Sequence, residues 1–191
     1  MKAFRHVVYR IVFVAIVGLS FTCCAGSTRA KPPEATYRAA DPFMQMSIEE
    51  ARDGIYNGDG GPFGCVVVKD GEVVGKGHNR VLARKDSTSH GEMEAIRAAE
   101  KGMGTYDLTG CVLYTTGEPC TMCLAAIGWA NIQHVYYGCT LEDNSDIGFR
   151  DARMNELLGG RESVQGFMEE LDRDACLELF HEYDNLDAVV Y

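Results

Sequence analysis

Two short segments, SHGEMEAIRAAEKG and TTGEPCTMCLAAIGWAN, constrain this 191-residue chain more than any other part of it. They set His90 and Glu92 apart from Cys120 and Cys123, and the spacing within each pair carries chemistry. Cysteines at i and i+3 fall about one turn apart on one helix face and can grip a single ion. Pro119 stands where a first-turn proline is tolerated, and helix N-terminal amides favour thiolate over thiol. Ser87, Thr88 and Ser89 offer capping hydroxyls before an Ala- and Glu-rich run, which predicts a helix with His90 in its first turn. One imidazole and two thiolates fill three positions of a tetrahedral zinc site and leave the fourth for water, the pattern of a catalytic rather than a structural centre. Glu92, two residues beyond His90, cannot share the ligand direction and is left to carry protons. A C-x-x-C pair by itself also suits redox sites and zinc ribbons. A structural zinc site wants a fourth protein ligand, and Cys65, Cys111 and Cys139 sit in strand-like contexts with no second close pair.

Length and a hydrophobic content of 46% suit one globular domain with a real core. The first ten residues, MKAFRHVVYR, are basic, and residues 11–25 carry no charge. Together they read as a secretory leader over 1–25, short for a spanning helix. Cleavage before Gly26 and acylation at Cys23 or Cys24 are both compatible with the sequence. Residues 26–40, with Ser27, Thr28, Pro32 and Pro33, read as a flexible linker, and 41–191 as the folded domain. The expected location is therefore periplasmic or lipoprotein-tethered, with the cytoplasm as the alternative if the leader does not function. Losing Lys2, Arg5 and Arg10 takes the 18 basic residues to 15 against 28 acidic ones, a formal charge of −13. So acidic a body repels phosphate backbones, which argues against nucleic acid and for a small, non-anionic substrate.

Within the domain, Ser47 and Glu50 have capping-box spacing and predict a first helix, with Ile48, Ala51 and Ile55 on its apolar face. Two apolar runs, 63–69 and 72–77, are joined by Asp70-Gly71, a strong hairpin signal. Further strands are predicted at 111–116 and 134–139, each beside a helical stretch, and another within 161–170. A closing helix is expected over 172–183, with Ala175, Leu179 and Phe180 facing inward. Strands alternating with helices after an opening hairpin give an α/β mixed sheet with helices on its faces.

The combination H-x-E and P-C-x-x-C is the signature of zinc deaminases, in which the glutamate is the acid/base and not a ligand. With GGPFGCVVVKDGEVVGKGHN, TSHGEMEAIR, CVLYTTGEPCTMCLAAIGWA and IGFRD, the chain from Met46 to Met154 resembles bacterial guanine deaminases of the cytidine deaminase-like superfamily. The resemblance implies a three-layer α/β/α fold around a five-stranded mixed sheet, with Zn2+ held by His90, Cys120 and Cys123. It implies that Asn79 reads a purine edge, that Phe63 and Trp129 wall the ring, and that Asp151 accepts from its N–H groups. It also implies a homodimer exchanging C-terminal segments, each Tyr191 closing the neighbouring site. The expected reaction is hydrolysis of a free nucleobase, guanine to xanthine and ammonia.

Some features point elsewhere. Gly91 stands where these deaminases commonly have alanine, and His-Gly-Glu with GHN also occurs in fungal-type cytosine deaminases, which keeps cytosine as a second substrate. A triazine, a pteridine or a nucleoside are further candidates, and an exported zinc-containing binding protein is the non-enzymatic one. Phe63 and Trp129 would also serve as core residues, and Asn79 as a turn residue. His78, His134 and His181 read as surface or strand-end residues. Cys65, Cys111, Cys139 and Cys176 read as small buried side chains.

Overall fold

The computed structural model describes residues 31–150 and 168–186. Helix α1 (Pro42–Tyr56) is followed by strands β1 (Gly64–Lys69) and β2 (Glu72–His78), a short α2 (Val81–Arg84) and α3 (Gly91–Met103). Then come β3 (Cys111–Gly117), α4 (Thr121–Trp129), β4 (His134–Cys139), α5 (Leu141–Asp146), β5 (Met168–Glu170) and α6 (Arg173–Asp184).

Helix α1 begins five residues before the expected Ser47. Asp41 accepts from the amides of Phe43 and Met44 at 2.8 and 2.9 Å, with Pro42 opening the helix behind it. A capping carboxylate followed by a proline already fixed at helical φ is the stronger start. Ser47 is instead inside the helix, its hydroxyl donating to the Phe43 and Tyr114 carbonyls. The hairpin forms where Asp70-Gly71 predicts it, with φ of 51° and 82° at the two turn residues, as a type I′ turn requires.

The sheet order is β2-β1-β3-β4-β5. The first two pairings are antiparallel and the last two parallel, giving the expected five-stranded mixed sheet. One core cluster places Cys65, Val67, Leu113 and Val135 of the strands against Ala95, Ile96 and Ala99 of α3 and Ile127 of α4. A second gathers Met44, Ile48 and Ala51 of α1 with Cys176, Leu179 and Phe180 of α6. In α6 the buried stripe is Cys176, Leu179, Phe180 and Tyr183, while Ala175 is half-buried. Of the strand expected within 161–170, β5 is the described part; 161–167, Asp151 and Tyr191 lie outside the described residues.

Because β1 runs antiparallel to both neighbours, its beginning and the ends of β2, β3 and β4 meet at one edge of the sheet. Gly64 pairs with His78, and Gly117 with Cys139. Phe63, Asn79 and the Cys120 turn are therefore neighbours by topology.

Residues 33–39 of the expected linker belong to the folded body. The Arg52 guanidinium, 10% exposed, donates to the Pro33 carbonyl at 2.7 Å and to both Glu182 oxygens, and it lies between the Tyr37 and Tyr56 rings. Both tyrosine hydroxyls also donate to Glu182. Burial opposes charge on Glu182, yet the hydrogen bonds from Arg52, Tyr37 and Tyr56 hold its carboxyl below the usual range. A carboxyl so depressed stabilises the fold above its unfolded pKa, and the contribution is lost as pH falls through the folded value. Replacing Arg52 by Met leaves Glu182 without its cation, so we expect a loss of about 2 to 3 kcal/mol, read as a lower urea midpoint at unchanged m.

Candidate active site

His90 is the N-cap of α3 rather than a first-turn residue, with extended φ and ψ of −71° and 161°. Its side chain does not cap the helix. Cys120 has the same place on α4, at φ −64° and ψ 168°, and Cys123 follows one turn in. Two helix starts thus face each other, and their side chains converge. The Cys120 sulfur lies 3.7 Å from the Cys123 sulfur and 3.7 Å from His90 Nδ1. Sulfurs bound to zinc at about 2.3 Å in a tetrahedron stand roughly 3.8 Å apart, so the three side chains are spaced for that ion before it arrives. Their ligand atoms all lie within 4.8 Å of one another, and no other such group forms among the described residues.

The electrostatics agree. The Cys120 thiol is pulled down to about 4, first by its hydrogen bond with Cys123 and then, against burial, by His90. Cys123 is pushed well above its ordinary value by the same Cys120 contact and by burial. Two thiols sharing one proton form a site that a divalent cation completes by displacing that proton.

Glu92 is 5% exposed on the first turn of α3. Its Oε2 lies 3.5 Å from the Cys123 sulfur, yet the carboxylate is outside the converging group of three. Burial first, and then the negative charge of Cys120, push its carboxyl up to about 7. Such a group exchanges protons near neutral pH. The group of His90, Cys120 and Cys123 is compatible with a zinc ion, and Glu92 stands beside it.

Asn79 and Phe63 are brought to the same place. The Asn79 amide N–H donates to the Phe63 carbonyl at 2.8 Å. A Cβ at Gly91 would lie 2.7 Å from that carbonyl oxygen, so the Phe63 backbone rests directly on the turn between His90 and Glu92. This contact gives the glycine of His-Gly-Glu a local reason. Asn79 is 1% exposed, but its Oδ1 accepts from the Val81 amide at 3.1 Å. The start of α2 thus occupies the acceptor half of this side-chain amide, and Nδ2 is the half left to donate. Phe63 packs edge-on to Phe149 and Phe180, at 4.8 and 5.4 Å between centroids, and remains half-buried. It is both part of the second core and a wall at the sheet edge.

Trp129 requires a correction. It is 85% exposed at the last position of α4, the opposite end from the two cysteines. It therefore neither fills this chain's core nor walls its own metal centre. The short helix ends in Gly128-Trp129, and no described element packs over the ring. Phe149 was missed as a site neighbour, although it lies within the IGFRD segment and is buried against Phe63. His78, set aside as a strand-end residue, has Nε2 2.8 Å from Asp59 Oδ2 directly before Asn79.

Comparison with known proteins gives this geometry a family. The cytidine and deoxycytidylate deaminase zinc-binding region matches residues 38–139, more than half of the chain. Guanine deaminase of Bacillus subtilis (strain 168) is 44% identical over 110 residues, 58% of this chain and 70% of that protein. Its crystal structure superimposes with a TM-score of 0.60 at 41% identity, covering 62% and 76% of the two chains. A guanine deaminase structure from Nitrosomonas europaea gives a TM-score of 0.67 at 27% identity, covering 82% and 90%. A tRNA-specific adenosine deaminase of Streptococcus pyogenes serotype M18 is 43% identical over 110 residues, 58% of this chain and 67% of that protein. The two helix starts, the three-atom cluster and the unligated glutamate all lie within the matched region, and the chain belongs to the zinc-dependent deaminases of the cytidine and deoxycytidylate deaminase family.

Proposed function

We propose that this chain hydrolyses guanine to xanthine and ammonia. The observation that carries the reading is Glu92, a buried carboxylate beside the three-ligand group but not part of it. Two guanine deaminases among the relatives support the choice of base. His90, Cys120 and Cys123 would hold zinc, which supplies Lewis acidity that brings the pKa of a coordinated water towards neutrality. Glu92 takes a proton from the attacking water and delivers it to the ring nitrogen beside the amine-bearing carbon. It then takes the proton of the newly added hydroxyl and passes it to the exocyclic amine, so that the carbonyl forms as the carbon–nitrogen bond breaks and ammonia leaves. Asn79 Nδ2 donates to the base, and the Phe63 ring limits the space around it. The Cys123 backbone N–H hydrogen-bonds the Cys120 sulfur and would help tune the centre.

Cytosine is the second reading, kept open by the His-Gly-Glu tripeptide and the GHN segment. The acidic charge of the chain disfavours a nucleic acid substrate despite the tRNA-specific relative.

We further propose that a second copy covers α4. The helix carries no charged residue, and its outer face, with Ala125, Gly128 and Trp129 exposed and Met122 and Leu124 half-buried, is apolar for a solvated surface. C-terminal exchange, with Tyr191 reaching the neighbouring site, and contact by Asp151 belong to the same proposal. So does export through the 1–25 leader, with or without a lipid at Cys23 or Cys24, which rests on the basic and uncharged runs alone.

Ammonia release from guanine, cytosine, adenine and their nucleosides tests the substrate: guanine should be fastest, and a faster pyrimidine would overturn the choice. Glu92→Gln should retain zinc and lose about 10²- to 10⁴-fold in kcat. The acid limb of kcat/KM should disappear with it, because activity needs the ionised carboxylate and falls as pH drops through its pKa. A neighbouring dication opposes the upward shift, so that limb belongs below about 7. In light scattering the wild type should have twice the mass of one chain and Trp129→Asp half of that; equal masses would remove Trp129 from an interface. Intact mass after export should show loss of residues 1–25 or of the residues before an acylated cysteine, and a full-length chain would refute processing.

A further inference from the structure

His78 ends the edge strand β2, and its surroundings differ from those of a solvated strand-end residue. Its ring lies against α1 at Gly54, where an added Cβ would be 2.6 Å from Cδ2. Nε2 is 2.8 Å from Asp59 Oδ2, and Nδ1 is 3.5 Å from Glu50 Oε2. Glu50 also holds Lys76 at 2.6 Å, and Arg80 stands 3.9 Å from Asp59. Across the cleft, Arg84 and Arg97 are engaged by Glu94. Two carboxylates therefore face one imidazole; Lys76, Arg80, Arg84 and Arg97 contact those acids or Glu94, and Lys101 of α3 lines the same cleft.

Asp59 is tied into the fold on both sides. Its amide donates to the Gly54 carbonyl at 2.9 Å, and its carbonyl accepts from Leu82 and Ala83 at 3.1 Å each, across the start of α2. The next residue, Gly60, presses on Asn79; a Cβ there would lie 2.1 Å from Asn79 Oδ1. Asn79 follows His78 in the chain and donates to Phe63. The imidazole–carboxylate contact thus joins the end of β2 to the loop that walls Asn79 and leads into Phe63.

We propose that His78 is a positioning residue for the nucleobase: held by Asp59 and Glu50, it clamps the 58–62 loop onto β2 and fixes Asn79 and Phe63 for base recognition. The proposal rests on the deaminase reading above for what is recognised, and on the geometry alone for the clamp. Burial works against charge on His78, but the flanking Glu50 and Asp59 carboxylates outweigh it and raise the imidazole above its ordinary value. The charged clamp is therefore complete at low pH and weakens as pH rises through that raised pKa. KM should climb over the same range while kcat holds.

The test compares wild type with His78→Ala, His78→Gln and Asp59→Asn, each loaded with zinc. It uses the base that the wild type turns over fastest. His78→Ala should raise KM about tenfold, the size expected for losing one charge-assisted contact, with kcat within about twofold and zinc content unchanged. His78→Gln, which keeps a neutral hydrogen bond to Asp59, should recover part of the KM and abolish its alkaline rise. Asp59→Asn should abolish that rise too. An alkaline rise that survives in His78→Gln, or a loss confined to kcat, overturns the proposal, and these two variants decide it if His78→Ala does not fold. Hydrogen exchange supplies a readout independent of turnover: the Asn79 amide should exchange faster in the variants than in the wild type, and unchanged protection refutes the clamp. A wild type that deaminates no base, with Asn79 protection still lost in the variants, would fault the proposed reaction and uphold the clamp.

Discussion

A sulfur 3.7 Å from both a second sulfur and an imidazole nitrogen, at the mouths of two helices, makes a group whose members cannot all carry the charge state that would suit each alone. Cys120 is drawn towards thiolate, Cys123 is driven towards thiol, and the buried Glu92 beside them resists ionisation. A divalent cation relieves all three tensions together. It accepts both sulfurs as thiolates, uses the imidazole lone pair, and lowers the cost of a charged carboxylate nearby. The rest of the fold works to keep those atoms in place: α3 and α4 rest on the same sheet face through one apolar core.

The mixed sheet brings the segments before β1 and after β2 to that cluster. A purely parallel sheet would send the start of β1 to the far edge, away from the Cys120 turn. With β1 antiparallel, Phe63 before it and Asn79 after β2 arrive beside His90 and Glu92. The glycine at 91 lets the Phe63 backbone settle on the helix start, so Phe63 and the cluster share one corner of the fold. Short polar contacts tie the loop before β1 to the end of β2 beside this corner, and the His78–Asp59 pair is one of these.

Much of this was legible in the sequence because it depends on local spacing. The i and i+3 cysteines, the separation of His90 from Glu92, and Asp70-Gly71 each act over a few residues, and each came out as expected. What failed depended on context. The Ser47 capping-box pattern lost to Asp41-Pro42, a better start lying just upstream. The flexible linker was read from composition, whereas Pro33 is held by Arg52, 19 residues on, and Tyr37 by Glu182, 145 residues on. Trp129 was assigned to the ring wall by resemblance, with the core as its alternative, and neither can be checked by hydrophobicity on a helix that is apolar all round. His78 lacked a motif, since its partners come from α1 and a glycine-rich loop.

The central claim is that the metal has three protein ligands and that Glu92 is not among them. Zinc X-ray absorption on the wild type and on Glu92→Gln addresses it directly. Two sulfurs at about 2.3 Å, one nitrogen near 2.0 to 2.1 Å and one further light atom are expected, identical in both proteins. A first shell that gains a third sulfur, or that changes when Glu92 is replaced, would contradict the account.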